Sequence, residues 1–144
     1  MNVLVIGGTG FIGYPTVHEL LRRGHGVTAI ALRQPVTQQP LPPQVKLILA
    51  DMDRFNDDEL RQLMTGYDGL VFAAGVDDRV TPRASAYPFF YHANVQSAVR
   101  VFTLARQAGV CRGVLMSSYF VHFARLWPEL QLGARHPYIR SRLE

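Results

Sequence analysis

A chain of 144 residues, 48% of them apolar, is long enough for one compact domain and apolar enough to exclude disorder as its main state. The net charge of +4 comes from scattered cations with no dense basic run, so nucleic acid is not an expected partner. We find no membrane-length apolar run, no secretory signal and no metal-ligand spacing, and the single Cys111 cannot form an internal disulfide. We therefore expect a cytoplasmic protein that binds no membrane and no metal.

Short apolar runs alternate with helical spacing along the chain. In chain order we predict a strand over Asn2–Ile6, a helix over Thr16–Arg23, strands over Val27–Leu32 and Val45–Ala50, a helix over Asp57–Met64 with Asn56 as its N-cap, a strand over Gly69–Ala74, a helix over Phe89–Ala108, a strand over Gly113–Met116 and a helix from Pro137. Loops are predicted at Gln34–Gln44, which is rich in Pro and Gln, at Asp77–Ala86 and from Ser117 to His136.

Alternating strands and helices predict an α/β fold, a Rossmann-type doubly wound parallel sheet of about five strands in the order 3-2-1-4-5. Such a sheet usually carries a sixth strand, and the pattern contains none. We therefore interpret residues 1–144 as one incomplete domain of this Rossmann type. An open sheet edge favours association, so we expect self-association or marginal stability.

The segment between the first strand and the first helix reads Gly7-Gly8-Thr9-Gly10-Phe11-Ile12-Gly13. In a strand–turn–helix context, Gly7 permits the turn, Gly10 lets the backbone approach a pyrophosphate, and Gly13 lets the helix pack close to the sheet. The amides of Thr9, Phe11 and Ile12 belong to the same anion-binding turn at a helix N-terminus. The pattern predicts a dinucleotide site; the alternative is a glycine turn used only for tight packing.

The end of the second strand predicts which dinucleotide is bound. An acidic residue there would bind the ribose 2′-hydroxyl of NAD, but the segment reads Ala31-Leu32-Arg33. Arg33 could meet a 2′-phosphate, which favours NADP over NAD. The alternative is that Arg33 is an ordinary solvated cation.

With the glycine turn, Asp51, Ala73-Ala74-Gly75, Asn94-Val95 and Ser117-Ser118 in this order, the chain resembles an extended or atypical short-chain dehydrogenase/reductase of the NAD(P)-dependent epimerase/dehydratase group. The resemblance implies that Asp51 and Met52 lie against the adenine, although Asp51 could simply pair with Arg54. It also implies that Ala73, Ala74 and Gly75 line the cofactor. Asn94 resembles the helix asparagine that supports a water or proton relay; the alternative is a surface-exposed helix asparagine.

The resemblance also implies a catalytic group. Ser118 corresponds to the serine of Ser-Ser-x-x-Val-Tyr-Gly, with Val121 in register and His122 and Phe123 departing from it. Tyr138 and Arg142 occupy the ends of Tyr-x-x-x-Lys, with arginine in place of lysine, so that a cation lies one turn from the phenol. A neighbouring cation would stabilise the phenolate, but arginine is larger and places its donors differently.

Two functions follow from this reading, and an interaction scaffold that binds no ligand is a third alternative. The first is an NAD(P)-dependent oxidoreductase or epimerase-like enzyme with Tyr-assisted hydride transfer to or from a small molecule that the sequence does not name. The second is a non-catalytic dinucleotide-binding or sensor module. The relatives it resembles are longer, with their substrate segments C-terminal to this region, so the chain could be a fragment, a truncated product or a module that pairs with another component.

Overall fold

The computed structural model describes residues 1–35 and 39–144, in which two compact units are distinguished. The first comprises residues Met1–Ala74 and Val101–Met116, and the second comprises Gly75–Arg100 and Ser117–Glu144. None of the helices in the described ranges is long and apolar enough to cross a lipid bilayer. Residues 36–38, within the predicted Pro/Gln loop, lie outside the described residues; the other loop residues belong to no helix or strand.

A parallel five-stranded sheet forms the first unit. Its strands lie in the order β3-β2-β1-β4-β5, which confirms the predicted Rossmann-type topology. The strands are β1 (Asn2–Ile6), β2 (Gly26–Ala31), β3 (Lys46–Leu49), β4 (Gly69–Phe72) and β5 (Arg112–Leu115). Because parallel strands place their carboxyl ends along one edge of a sheet, the segments following β1, β2 and β4 meet there.

The central strands are apolar because both of their faces are buried. Val5, Ala29 and Ile30 have no exposed surface, as expected for strands inside a parallel sheet. Helix α1 (Gly13–Arg22) contributes Val17 to this core. At the edge, Val114 and Leu115 of β5 remain about half exposed. The predicted self-association stays a prediction.

Local capping signals in the first unit act as the sequence indicates. Helix α2 (Asp57–Met64) has the predicted bounds, and the Asn56 side chain accepts from the Glu59 amide at 2.9 Å while Glu59 accepts from the Asn56 amide at 2.8 Å. This reciprocal capping box satisfies two amides that a helix start leaves open. At the end of α1, Gly24 adopts φ +78°, which glycine tolerates best.

The predicted helix over Phe89–Ala108 is longer and interrupted. It begins as α3 (Ala86–Tyr91), passes through a π-helical turn at His92–Gln96 and continues as α4 (Ser97–Gln107). Pro88 lies in the first turn of α3, where a missing amide hydrogen costs no helical hydrogen bond, so the proline does not delimit the helix. The π-helical turn inserts an extra residue that a regular spacing cannot reveal.

The prediction of a loop from Ser117 to His136 was wrong. This segment forms α5 (Tyr119–Leu126), a 3-10 turn at Pro128–Leu130 and the short α6 (Leu132–Arg135), before α7 (Pro137–Leu143) begins at the predicted proline. The Ser118 side chain caps α5, and consecutive ring contacts link Tyr119, Phe123 and Trp127 along it. The helix therefore depends on its cap and on aromatic contacts, because aromatic residues have only modest helix propensity.

Candidate functional site

The glycine turn between β1 and α1 is tightly packed at two of its glycines. Gly7 adopts φ +83°, and a Cβ there would lie 2.7 Å from the Ala74 nitrogen. A Cβ on Gly13 would lie 2.0 Å from the Gly7 oxygen. Both contacts are with backbone atoms, which cannot rotate away. Gly7 and Gly13 are therefore required by the packing of the chain itself, in the turn and helix-packing roles predicted for them.

Gly10 is different, because the packing requires its small size much less. It is exposed and its φ is not in the left-handed region. Among the described residues other than its two chain neighbours, the Gly7 oxygen is the only atom within 4 Å of its hypothetical Cβ, at 3.2 Å. A glycine at an exposed and nearly unobstructed position leaves the turn open for close approach by another molecule. This is the role that the dinucleotide pattern assigns to the middle glycine.

The start of α1 presents backbone donors without acceptors. Within residues 1–35 and 39–144, the amides of Phe11, Ile12 and Gly13 have no hydrogen-bond acceptor, and no side chain caps the helix. Phe11 is 92% exposed, so its side chain does not cover these amides. Amides without acceptors at a helix N-terminus, aligned with the positive end of the helix dipole, are the arrangement that favours anion binding, and the binding of a pyrophosphate here stays a prediction.

Arg33 lies beside this turn. The Thr9 hydroxyl donates to the Arg33 carbonyl at 2.9 Å, which ties the residue following β2 to the glycine turn. The Arg33 side chain is exposed, and among the residues described it has no carboxylate partner. The strand itself ends at Ala31, one residue before the predicted end, and Leu32 is exposed. The backbone of a cationic residue with an exposed side chain is therefore tied to the glycine turn, and its contact with a 2′-phosphate stays a prediction.

Asp51 and Met52 lie just beyond the carboxyl end of β3. Asp51 caps a short 3-10 helix (Met52–Arg54), with Oδ1 accepting from the Asp53 amide at 3.1 Å and Oδ2 lying 3.7 Å from the Arg54 Nε. The pairing with Arg54, the structural alternative for Asp51, is thus present. The contact of Asp51 and Met52 with an adenine stays a prediction.

Ala73, Ala74 and Gly75 follow β4. The Ala73–Ala74 peptide faces Gly7 within the first unit, so the strand end and the glycine turn lie together. Gly75, the first residue of the second unit, has φ +145°, and a Cβ there would lie 2.9 Å from Asn94 Oδ1 and 3.0 Å from Arg142 Nη2. Glycine is therefore needed at position 75 for contacts within the protein, whether or not a cofactor runs past it.

Asn94 is buried in the π-helical turn, where the alternative of a surface-exposed helix asparagine does not hold. Only 6% of its surface is exposed. Its Oδ1 accepts from the Val76 amide at 3.0 Å, and its Nδ2 donates to the Val76 carbonyl at 3.0 Å and to Ser141 Oγ at 3.2 Å. The side chain is thus used to hold neighbouring backbone, and a relay through it stays a prediction.

Tyr138 and Arg142 lie on one face of α7, as their spacing predicts. Tyr138 is 5% exposed and packs edge-on against Phe90 and Phe120, with ring centroids 5.7 and 6.2 Å away. The Arg142 Cζ lies 5.5 Å from the Tyr138 ring centroid, a cation–π distance. The second unit therefore brings together Gly75, Asn94, Tyr138 and Arg142.

Ser118 is the N-cap of α5. Its Oγ accepts from the Phe120 amide at 3.2 Å, and the Phe120 ring is the one that contacts Tyr138. A serine hydroxyl that accepts one hydrogen bond still has its own proton to donate. The capping role and a role toward a substrate oxygen are therefore compatible.

Comparison with known proteins decides the family. A family profile described as NAD(P)H-binding matches residues 7–141, nearly the whole chain. The chain belongs to this NAD(P)H-binding family. The resemblance to short-chain dehydrogenase/reductases of the epimerase/dehydratase group is confirmed.

Individual relatives are similar across most of this chain. The 3-beta-hydroxysteroid dehydrogenase of Mycolicibacterium neoaurum is 31% identical over 120 residues, covering 81% of this chain and 32% of that protein. The decarboxylating sterol-4-alpha-carboxylate 3-dehydrogenase of Homo sapiens is 30% identical over 119 residues, covering 83% and 29%. A solved structure of MoeE5 in complex with UDP-glucuronic acid and NAD is 31% identical with a TM-score of 0.67, covering 84% and 38%. The chain thus spans about a third of the length of these proteins.

This member of the NAD(P)H-binding family has Arg142 where the Tyr-x-x-x-Lys pattern has lysine. The structure also shows contacts around Tyr138 that the pattern did not predict. Ser141 is 2% exposed and bonded to Asn94, and Phe90 and Phe120 enclose the Tyr138 ring. Ser141 and Phe120 are close in sequence to predicted site residues, but nothing in their spacing indicates that they are partners. These contacts join segments far apart along the chain, which local pattern cannot reveal.

Proposed function

We propose that the protein binds NADP(H) at the glycine turn and acts as an oxidoreductase or epimerase-like enzyme with Tyr138 as its acid/base. The observation that carries the proposal is the start of α1, where the amides of Phe11, Ile12 and Gly13 lack acceptors among the described residues, beside an exposed Gly10 that packing restricts much less than Gly7 or Gly13. Packing alone explains Gly7 and Gly13, but it does not explain Gly10. A pyrophosphate placed there would supply the missing acceptors.

The residues around the turn suit the rest of a dinucleotide. Arg33, tied to the turn through Thr9, would hold a 2′-phosphate by a charge-assisted contact, which is why we propose NADP rather than NAD. Asp51 and Met52 would meet the adenine, where a carboxylate can accept from the amino group. Ala73, Ala74 and Gly75, at the end of β4, would line the passage of the cofactor.

The chemistry would be a proton transfer coupled to hydride transfer. A bound nicotinamide supplies or accepts the hydride. The Tyr138 phenol would pass a proton to or from the substrate oxygen, and the Ser118 hydroxyl would donate to that oxygen. Arg142, held over the Tyr138 ring, would stabilise negative charge on the phenol, and Asn94 would support the group by holding its surroundings.

A second candidate function is a non-catalytic dinucleotide-binding or sensor module. The specific observation in its favour is Arg142, whose planar guanidinium replaces the lysine ammonium of the family pattern. In the structure this group lies over the Tyr138 ring face and near Gly75, which is a packing position as much as a catalytic one. This candidate shares the cofactor site and differs only in turnover.

Two measurements test the proposal. Calorimetry with NADPH and NADH should show binding of both, with NADPH tighter. Reduction of a carbonyl panel and conversion of a nucleotide-sugar panel should then be lost in Tyr138→Phe and retained in Tyr119→Phe, a matched removal of an exposed phenol on α5. Binding without turnover by the wild type would favour the sensor, and turnover gained by Arg142→Lys would mark it as a degraded enzyme. No binding of either dinucleotide would refute both candidates.

A further inference from the structure

Two polar residues of the second unit, Asn94 and Ser141, are almost fully buried. They are 6% and 2% exposed. Burying polar groups is costly unless they are hydrogen-bonded, and replacing one member leaves its partner unsatisfied. These two residues belong to elements far apart in the sequence, the π-helical turn and α7, so their bond is a tertiary connection.

The hydrogen bonds form a continuous chain that ends on Tyr138. The Asn94 side chain accepts from the Val76 amide and donates to the Val76 carbonyl, each at 3.0 Å, and it also donates to Ser141 Oγ at 3.2 Å. Ser141 Oγ in turn donates to the Tyr138 carbonyl at 2.7 Å. The serine hydroxyl thus uses an acceptor site toward Asn94 and its single proton toward Tyr138. We call Asn94, Val76, Ser141 and the Tyr138 carbonyl the clamp.

The clamp connects the segments that carry the candidate chemistry. Val76 follows Gly75, and Gly75 leaves room for Asn94 Oδ1 and Arg142 Nη2, each about 3 Å from where its Cβ would lie. Helix α7 has only seven residues, so its own backbone bonds restrain its first turn weakly. An extra bond from Ser141 to the Tyr138 carbonyl therefore restrains the turn from which the phenol projects.

We propose that Ser141 is a positioning residue, which acts with Asn94 to hold the Tyr138–Arg142 turn in its reactive placement. The inference rests on the proposed function, since it gives a purpose to the placement of Tyr138. A purely structural role would couple Ser141 to stability alone. A positioning role couples it to the chemical step, because small misplacement of a reacting group slows that step strongly.

The test compares Ser141→Ala with Ser97→Ala. Ser97 is a matched control, because its hydroxyl also donates to a carbonyl, that of His92 at 3.1 Å, but at a half-buried position outside the clamp. With NADPH and the panel compound that the wild type converts, Ser141→Ala should lower kcat by roughly tenfold to a hundredfold while KM and the NADPH Kd stay at the wild-type values. Ser97→Ala should change neither constant.

Several results would overturn the inference. One is an unchanged kcat in Ser141→Ala, and another is a loss of kcat that Ser97→Ala reproduces. A third is a parallel loss of kcat, NADPH affinity and thermal stability in Ser141→Ala. If the wild type converts no panel compound, the proposed enzymatic function is refuted. Amide hydrogen exchange then tests, independently of turnover, whether the clamp restrains the segments it connects. Faster exchange of residues 75–76 and 138–142 in Ser141→Ala, but not in Ser97→Ala, would support the connection. Equal exchange in both variants would refute it.

Discussion

Replacing Gly10 with alanine should weaken NADPH binding without unfolding the protein. Within the part of the chain that the structure describes, and apart from its two chain neighbours, the added methyl would meet only the Gly7 oxygen within 4 Å, at 3.2 Å, so the chain needs to shift by a few tenths of an ångström. Alanine also lowers the entropy of the unfolded chain, which contributes about 0.4–1 kcal/mol to stability and offsets this strain. The expected change in the free energy of unfolding is therefore within about 1 kcal/mol of zero.

Gly13→Ala provides the contrasting variant at the same turn. Its methyl would lie 2.0 Å from the Gly7 oxygen and 2.7 Å from the Gly7 carbonyl carbon, and neither backbone atom can move without displacing β1 or α1. We expect a loss of at least about 4 kcal/mol in the free energy of unfolding. Such a loss is a large part of the roughly 5–15 kcal/mol of a typical domain.

The expected change in the NADPH Kd follows from the hydrogen bonds between the turn and the phosphates that Gly10→Ala would lengthen. Hydrogen bonds to a charged group contribute about 1.5–3 kcal/mol each, so weakening one raises the NADPH Kd roughly tenfold to a hundredfold. Calorimetry gives the Kd and urea denaturation gives the stability of each variant. Unchanged NADPH affinity in a folded Gly10→Ala protein would show that the phosphates do not approach at Gly10. A fully stable Gly13→Ala protein would refute the packing argument.

Three further predictions concern single side chains. Arg33→Ala should raise the NADPH Kd about tenfold and leave the NADH Kd unchanged in calorimetry, because only NADPH carries the 2′-phosphate; equal effects on both would contradict this. Asn56→Ala should lower the free energy of unfolding of the protein by about 1 kcal/mol in urea, since the capping box is lost. Hydrogen bonds from Arg22 and Arg23 hold the pKa of Glu19 at about 2. Because folding lowers this pKa, the ionised Glu19 carboxylate adds to the free energy of unfolding above pH 4.5, the ordinary pKa value. This stabilisation is lost as the pH falls toward 2. Glu19→Gln should thus be less stable than the wild type near neutrality and equal to it at the acid end of a thermal-unfolding series.

The elements that the sequence predicts well are those whose signals are local. The strands from Asn2 and from Val27 are continuous apolar runs, because both faces of a central parallel strand are buried. The helix over Asp57–Met64 is bounded by a capping residue, and Gly24 and Gly109 mark helix ends by adopting positive φ. In each case the side chains within a few residues contain the physical cause of the structure.

The elements that the sequence missed have causes elsewhere in the chain. The helix α5 is rich in aromatic residues with modest helix propensity, and its Phe120 ring packs against Tyr138 of α7, a contact with a later segment that local pattern does not show. Asn94 reads as an ordinary helix residue, and its burial becomes evident only when Val76 and Ser141 are brought to it. The π-helical turn at Asn94 is likewise invisible to a regular helical spacing.

The amino-acid sequence by itself determined the alternation of strands and helices, the glycine turn at the start of α1 and the spacing of Tyr138 and Arg142 on one helix face, since backbone geometry and hydrophobic periodicity act over short distances. The strand order followed from this alternation only through the topology that such parallel sheets share. Only the tertiary structure decided which glycines the packing requires and which one is left open, and which partners hold Asn94 and Ser141. These depend on close contacts between segments distant in the chain, where differences of less than an ångström separate an allowed contact from a forbidden one.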